Sequence, residues 1–520
     1  MGCQAIFGID DTTFSPSGGD DASSGDGASD GSIGDGAATD APSGDAATNA
    51  SLAFSPARLF ITESETVDVA VTLARNGFTG AATITLASVA DAGVTPDGGP
   101  DASGANGIGA PELTIPAGSN TGTLHVSAAA TATLGLTSLD FTLSADRTSA
   151  VALTTLVGGA AGTVDTTFGT SGVVANAAGV QWNSVAIAAD DSFYVTGGGW
   201  VVHHYFADGT EDTAFDNAMA TALSGFGGTS TRIAVDGTTL AIGGQDVNSD
   251  FAIRKFTTAG VSDPTFGAAG IYYLQRGAGG FYRGSVSGLA FSAAHEILAT
   301  GVNSDNNNGI ALRFRAGATD TYAYGAEVAL AGIRADTTGD LVVGGNTTEA
   351  DAGATWFAQR LNATFGDAGV QTNGNPSVQV VARQMVVSPN QQIAMGGVTE
   401  YSLAGGFASF DQTTLAPALL VNIPHSGGSD DGFSSIAAQA DSKLLLSGNG
   451  GGSMTNTFVR RYFADGGLDT SFGNAGQFTI GEMNFGPETF FYDLAVDSWG
   501  RIIVVGRNTA LGGYITRLWP

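Results

Sequence analysis

The chain has 520 residues, room for two to four domains, and its 43% hydrophobic content is enough for true cores. With 78 glycines and only 13% charged residues, it suits many short strands and tight turns, not helices. A net charge of −30, with lysine only at Lys255 and Lys443, opposes nucleic acid and anionic membranes, and a single cysteine excludes a disulfide framework and a Cys-based zinc site.

That cysteine is Cys3, in "MGCQAIFGIDD". Myristoylation needs Ser or Thr where Ile6 stands. A reactive thiol needs basic neighbours, and none are near. The third reading is a bacterial lipoprotein cysteine, lipidated after signal cleavage, because the acidic tether that follows resembles those of such lipoproteins. It requires a positive and then apolar leader that is not visible in this chain. No run of eighteen apolar residues exists, so the expected membrane contact is a lipid anchor and not a spanning helix.

Residues 1–50 read as a disordered acidic tether. Asp11 to Ala50 is built from Gly, Ser, Ala and Asp, without enough apolar surface to offset ordering entropy. "GDGASDG", Gly25 to Gly31, spells a dinucleotide fingerprint but follows no strand and opens no helix. A calcium loop lacks its closing Glu.

Residues 51–157 read as a β-sandwich. "TVDVAVTL" places Val67, Val69, Val71 and Leu73 on one face, and "ATITLASV" follows after the turn "RNGFTG". Alternation at period two with Gly/Asn/Pro punctuation is the sandwich pattern. The segment resembles bacterial immunoglobulin-like modules with a Thr-Ile-Pro-Ala-Gly turn, here Thr114 to Gly118.

From residue 165 to 520 the chain repeats. "DTTFGTSGVV" begins at Asp165, "DPTFGAAGIYY" at Asp263, and "RYFADGGLDTSFGNAGQF" spans Arg461 to Phe478. Seven short β-rich runs end in Gly197, Gly244, Gly301, Gly345, Gly397, Gly448 and Gly506, between 44 and 58 residues apart. A strand precedes each at a nearly constant offset, with turn pairs such as Asp236-Gly237 and Trp499-Gly500 between. Constant offset inside a variable period means a rigid hairpin joined by variable loops. A third strand carries a basic-aromatic pair: His204-Tyr205, Lys255-Phe256, Arg313-Phe314 and Arg461-Tyr462, with Arg360 and Arg517 keeping the cation and Ser409-Phe410 only the ring. A turn with Asp and Phe-Gly follows in most repeats, then a weaker fourth strand.

Four strands times seven units is a seven-bladed β-propeller, so the expected fold class is all-β. These residues resemble the delta-60 repeat family, whose pattern is Asp-x-x-Phe-Gly, an Asp-Gly hairpin and Leu-x-Arg-Tyr before Asp-Gly. Together with the tether, the resemblance is to bacterial surface lipoproteins of the myxobacterial type. It implies no particular activity. The chain ends on the third strand "YITRLWP" and holds a spare strand at Gly172 to Ala175, so the two are expected to pair and close the ring.

No nucleophile elbow and no zinc-protease helix are present. His203-His204 could suggest a metal, but His204 fills the cation position of its repeat and adjacent strand residues face opposite ways, so no metal ligand is assigned. A bound cation such as calcium has no motif behind it, and no cofactor is expected. The repeated cations and Asp165, Asp212, Asp263 and Asp469 are expected to pair structurally, since catalysis needs one site and these recur. Variable loops gathered on one face mark a binding surface. They carry Trp182, Asp246, Tyr282, Asp305, His425, Asp430, Glu482 and Phe485. Amides, carboxylates and aromatics together suit a polar or glycan-like ligand or a protein partner.

The resulting expectation is a non-catalytic binding or scaffolding protein, secreted or at the outer cell envelope and lipid-anchored through Cys3. The alternative is a propeller hydrolase or lyase acting on polysaccharide, which requires Asp430, Glu482 and His425 within hydrogen-bond reach.

Overall fold

The period-two alternation along Thr66–Ala74 buries Val69, Val71 and Leu73 and leaves the residues between them exposed. The computed structural model describes residues 50–91, 106–144, 150–176, 180–276, 280–305, 308–326, 328–336, 339–349, 353–373, 380–399, 405–422, 432–450, 456–479, 489–509 and 512–520. The expected tether therefore lies, apart from Ala50, outside the described residues. In the N-terminal unit, Ser51–Ser55, Thr66–Ala74, Thr121–Ala128 and Ile108–Gly109 form one sheet. Arg58–Thr62, Ala150–Gly158, Gly135–Leu143, Ala82–Asp91 and Leu113–Ile115 form the other. The two sheets share one core, with Val69, Val71, Ile84, Leu124, Leu139 and Phe141 at its centre. The Arg58–Thr62 strand runs parallel to Ala150–Gly158, the pairing from which the chain leaves for the repeats.

The repeat region is a series of antiparallel sheets, giving an all-β, propeller-like architecture. The first sheet holds Trp182–Ile187, Phe193–Gly197 and Val202–Tyr205. The second begins with Gly228–Asp236, Thr239–Asp246 and Phe251–Thr257, the third with Gly284–Phe291, Ile297–Asn303 and Asn308–Arg315. The fourth to sixth begin with Val328–Ala335, Val380–Val387 and Gly432–Ala438. The seventh holds Thr489–Val496, Ile502–Asn508 and Gly512–Leu518, and its outer strand is Val173–Asn176 from the start of the region. Val174 lies opposite Ile515 and Ala175 opposite Tyr514, the pairing expected from the missing strand.

One expected element is replaced. After Val202–Tyr205 there is no fourth strand but a helix, α1 (Thr213–Ala222). Asp212 caps it, accepting from the backbone N–H of Ala214 and Phe215. In the sequence this stretch, "DTAFDNAMATA", lacks the glycine that follows Phe168, Phe266, Phe365 and Phe472 in their turns. Phe215 and Met219 of α1 fill the position of the lost strand against Tyr194, Trp200 and Ile233.

Cores lie between successive sheets. Middle strands are buried on both faces, so Leu445 packs toward the seventh sheet with Phe491 while Leu446 packs toward the fifth with Ala394. The same alternation gives Leu298 to the fourth sheet and Ala299 to the second. Ile503 and Val505 of the seventh sheet share a core with Trp182, Val185 and Phe193 of the first, so the series of shared cores returns to its start.

The glycine that ends each second strand has a steric cause. Among the described residues, the first strand of each of the seven repeat sheets carries a one-residue bulge opposite that glycine. The bulge pushes a first-strand carbonyl toward it: a Cβ on Gly197 would lie 1.8 Å from the Gln181 oxygen, and one on Gly506 1.8 Å from the Phe490 oxygen. The bulge also turns the next residue inward. Asp493 follows one bulge and is buried, accepting from Val185 N–H at 3.1 Å, Ser435 Oγ at 2.8 Å and Gln384 Nε2 at 3.1 Å. Four sheets are thus tied through one carboxylate.

Candidate functional site

Tyr282, Asp246 and Asp305 come together where the second and third sheets meet. Asp246 ends its strand, and its Oδ1 accepts the backbone N–H of Asn248 at 2.8 Å and of Asp250 at 2.9 Å, closing a tight turn. The N–H of Phe251 donates to the Tyr282 carbonyl at 3.0 Å, and the N–H of Ser304 to the Arg283 carbonyl at 2.8 Å. The Asp305 N–H donates to Asn303 Oδ1 at 3.0 Å. Three loop segments are therefore stitched into one wall. The Asp250 carboxyl is pushed up, first by burial and then by the charges of Asp246 and Asp305, against the opposing pull of Arg283.

Beside this wall is a cleft of about 250 Å³ lined by Tyr272, Leu274, Gln275, Tyr282, Asn303, Asn308, Ile310, Thr321 and Ala323. The cleft has two phenol rings, three amides and a hydroxyl over an apolar floor. Tyr272 is fixed edge-on against Phe314 with centroids 4.7 Å apart, and burial raises the pKa of its phenol. Exposed Phe281 lies 4.6 Å from the Tyr273 ring, centroid to centroid, so a further aromatic pair stands by the loop that carries Tyr282. Neutral donors and acceptors with ring faces can hold hydroxyl-bearing rings by hydrogen bonding and stacking. No nucleophile with a base in reach lines this cleft among the described residues.

Trp182 is elsewhere. It is wholly buried in the core between the seventh and first sheets, edge-on to His203 at 5.1 Å, with the Gly513 backbone against its indole. Cys3, His425, Asp430, Glu482 and Phe485 lie outside the described residues. Sequence reasoning did not name Tyr272, Asn308 or Thr321. They belong to third and fourth strands, whereas binding residues were sought in the variable loops, and the tandem Tyr272-Tyr273 was the one visible signal.

The cation-carboxylate pairs are internal to the sheets. Arg461 Nε donates to Asp469 at 2.9 Å, Lys255 pairs with Asp263 at 2.9 Å and His204 with Asp212 at 2.9 Å. Arg517 of the last strand donates to Asp165 at 2.7 Å, joining the two ends of the repeat region. Arg360 departs from this and meets Asp336 of the preceding hairpin at 2.6 Å.

No family model matches the chain, and no curated protein is significantly similar to it. Among solved structures, it is similar to a prolyl endopeptidase at 14% identity and TM-score 0.40, over 65% of this chain and 47% of that one. The chain thus spans about half the length of that protein. A protein of unknown function from Dyadobacter fermentans is 11% identical, with TM-score 0.39 over 67% of this chain and 98% of that one. A GH43 β-xylosidase/α-arabinofuranosidase from a compost metagenome is 10% identical, with TM-score 0.28 over 56% of this chain and 97% of that one. Among the described residues, no helix is long and apolar enough to cross a membrane.

Proposed function

We propose that the chain is a non-catalytic binding protein of the cell envelope. Its repeats form a seven-bladed β-propeller of the delta-60 type, preceded by an immunoglobulin-like domain and a tether lipidated at Cys3. The propeller presents its variable loops to a polar or glycan-like ligand. The observation that supports this reading is the cleft at Tyr272 and Tyr282, where ring faces and the amides of Gln275, Asn303 and Asn308 converge without a charged reacting pair. Its volume is below the roughly 300–1,000 Å³ of sites for drug-sized ligands, which suits one ring unit of a longer chain.

The test is a glycan array probed with the full chain, followed by titration of any hit against Tyr282→Ala. Tyr282 is half-buried at the cleft and packs at the margin of the core between the second and third sheets, so the variant should stay folded with a somewhat lowered melting temperature and lose binding at least about tenfold. An array without a hit, or a hit indifferent to Tyr282, would overturn the assignment and leave a structural spacer.

A further inference from the structure

We propose that His203, Glu211 and Asp216 bind a divalent first-row transition ion of the zinc or manganese class, which fastens helix α1 to the strand Val202–Tyr205. The three side chains come from three pieces of local structure. His203 is on the strand, Glu211 follows the Asp208-Gly209 turn and bridges back to Tyr205, and Asp216 sits in the first turn of α1. His203 Nδ1 is 2.8 Å from Glu211 Oε1 and 3.0 Å from Asp216 Oδ2, and the ligand atoms of all three lie within 4.8 Å of one another.

Protons alone serve this cluster poorly. One imidazole nitrogen carries at most one hydrogen, which cannot be directed at both carboxylates. The hydrogen bond goes to Glu211. Asp216 Oδ2 is buried with no hydrogen aimed at it, although the imidazole is beside it. A dication in place of that single shared proton binds the imidazole nitrogen and both carboxylates together. Metal–ligand bonds of about 2.0–2.2 Å imply ligand–ligand edges of roughly 2.8–3.1 Å in an octahedral shell and roughly 3.3–3.6 Å in a tetrahedral one, and the two His203 contacts match the octahedral edge.

The ligands are also held in place. Asp216 Oδ1 accepts the His204 backbone N–H at 3.0 Å, which aims Oδ2 at the imidazole. The His203 ring is wedged edge-on to Trp182 at 5.1 Å and stacked near Tyr205 at 6.2 Å. Glu211 is partly exposed, so water can complete the coordination from that side. One imidazole nitrogen with two carboxylates selects a borderline transition dication over calcium or magnesium, which take oxygen sets.

The test is calorimetric titration of chelator-stripped full-length protein with ZnCl2, MnCl2 and CaCl2, with thermal melting in parallel. One saturable zinc or manganese site is expected, accompanied by a rise in melting temperature. His203→Ala and Asp216→Asn should each weaken that site at least about tenfold and abolish the rise, while His125→Ala in the sandwich changes neither. Weak uptake by the Asp-rich segment near the N-terminus is distinguished by its indifference to His203→Ala. If Asp216→Asn does not fold, Glu211→Gln, at a partly exposed side chain, takes its place. A wild type without a saturable site, variants that bind as the wild type does, or calcium bound here more tightly than zinc would each overturn the proposal.

Discussion

Asp165, Asp212, Asp263 and Asp469 each divide two carboxylate oxygens between two tasks. One oxygen caps a turn, as when Asp469 Oδ1 accepts from the Ser471 N–H and hydroxyl, and the other meets the cation of the repeat. Asp263 is held down to about 2, first by the Thr265 hydroxyl and then by Lys255. Its folded value lies below its ordinary 3.8, so its stabilising contribution is complete above about pH 4 and is lost as pH falls toward about 2. Asp263→Asn should therefore flatten the stability profile in that acid window and leave the slope near neutrality unchanged. Urea denaturation across the window reads this out, and a variant keeping the wild-type acid slope would refute it. The effect is small in energy, because the pair stands near the surface and water screens it.

The hairpin element explains why glycine recurs at one offset. Gly506 is opposite the bulge at Phe491/Asp493, where a side chain has no space beside the Phe490 carbonyl. Gly506→Ala should cost about 1–3 kcal/mol or more, because the obstacle is backbone and cannot rotate away. Gly198, one residue beyond such a position, has open space around a Cβ, and Gly198→Ala should stay within about 0.5 kcal/mol of wild type. Equal losses at both positions in denaturant melts would reject the bulge as the cause. At the same scale, α1 shows how a repeat survives without its fourth strand: an aspartate cap and two buried side chains, Phe215 and Met219, replace the ladder.

At the scale of the molecule, the two ends of the repeat region hold one another. Val173–Asn176 completes the sheet that ends the chain, Asp165 meets buried Arg517, and Phe168 lies under the same guanidinium at 4.7 Å. Deleting residues 165–176 would leave Arg517 buried without its carboxylate and the Gly512–Leu518 strand with an open edge. The deletion should lower the melting temperature by more than any single substitution above and shift the protein toward aggregates in size-exclusion chromatography. A monomer melting as the wild type does would contradict the closure. The sandwich meets the repeats at this same place: Arg58 stacks over Trp499 at 3.7 Å and donates to Ser498 at 3.0 Å.

The all-β class, the sites of the hairpins, most of the cation-carboxylate pairs and the partner of the spare strand were legible in the chain. These rest on local periodicity and on counting strands, and a strand left over at one end with one lacking at the other permits few solutions. Tertiary structure alone decided the rest. Whether a polar loop residue lines a cleft depends on which sheets become neighbours. Tyr282 therefore lines the cleft, with Asp246 and Asp305 in the wall beside it, while Trp182, placed with them in the loops by the sequence, is buried between the seventh and first sheets. The bulges were invisible because a bulge is a relation between two strands and not a pattern in one. The same holds for His203, Glu211 and Asp216. Their spacing matches no ligand motif, and only the replacement of a strand by a helix turns Asp216 back toward the imidazole.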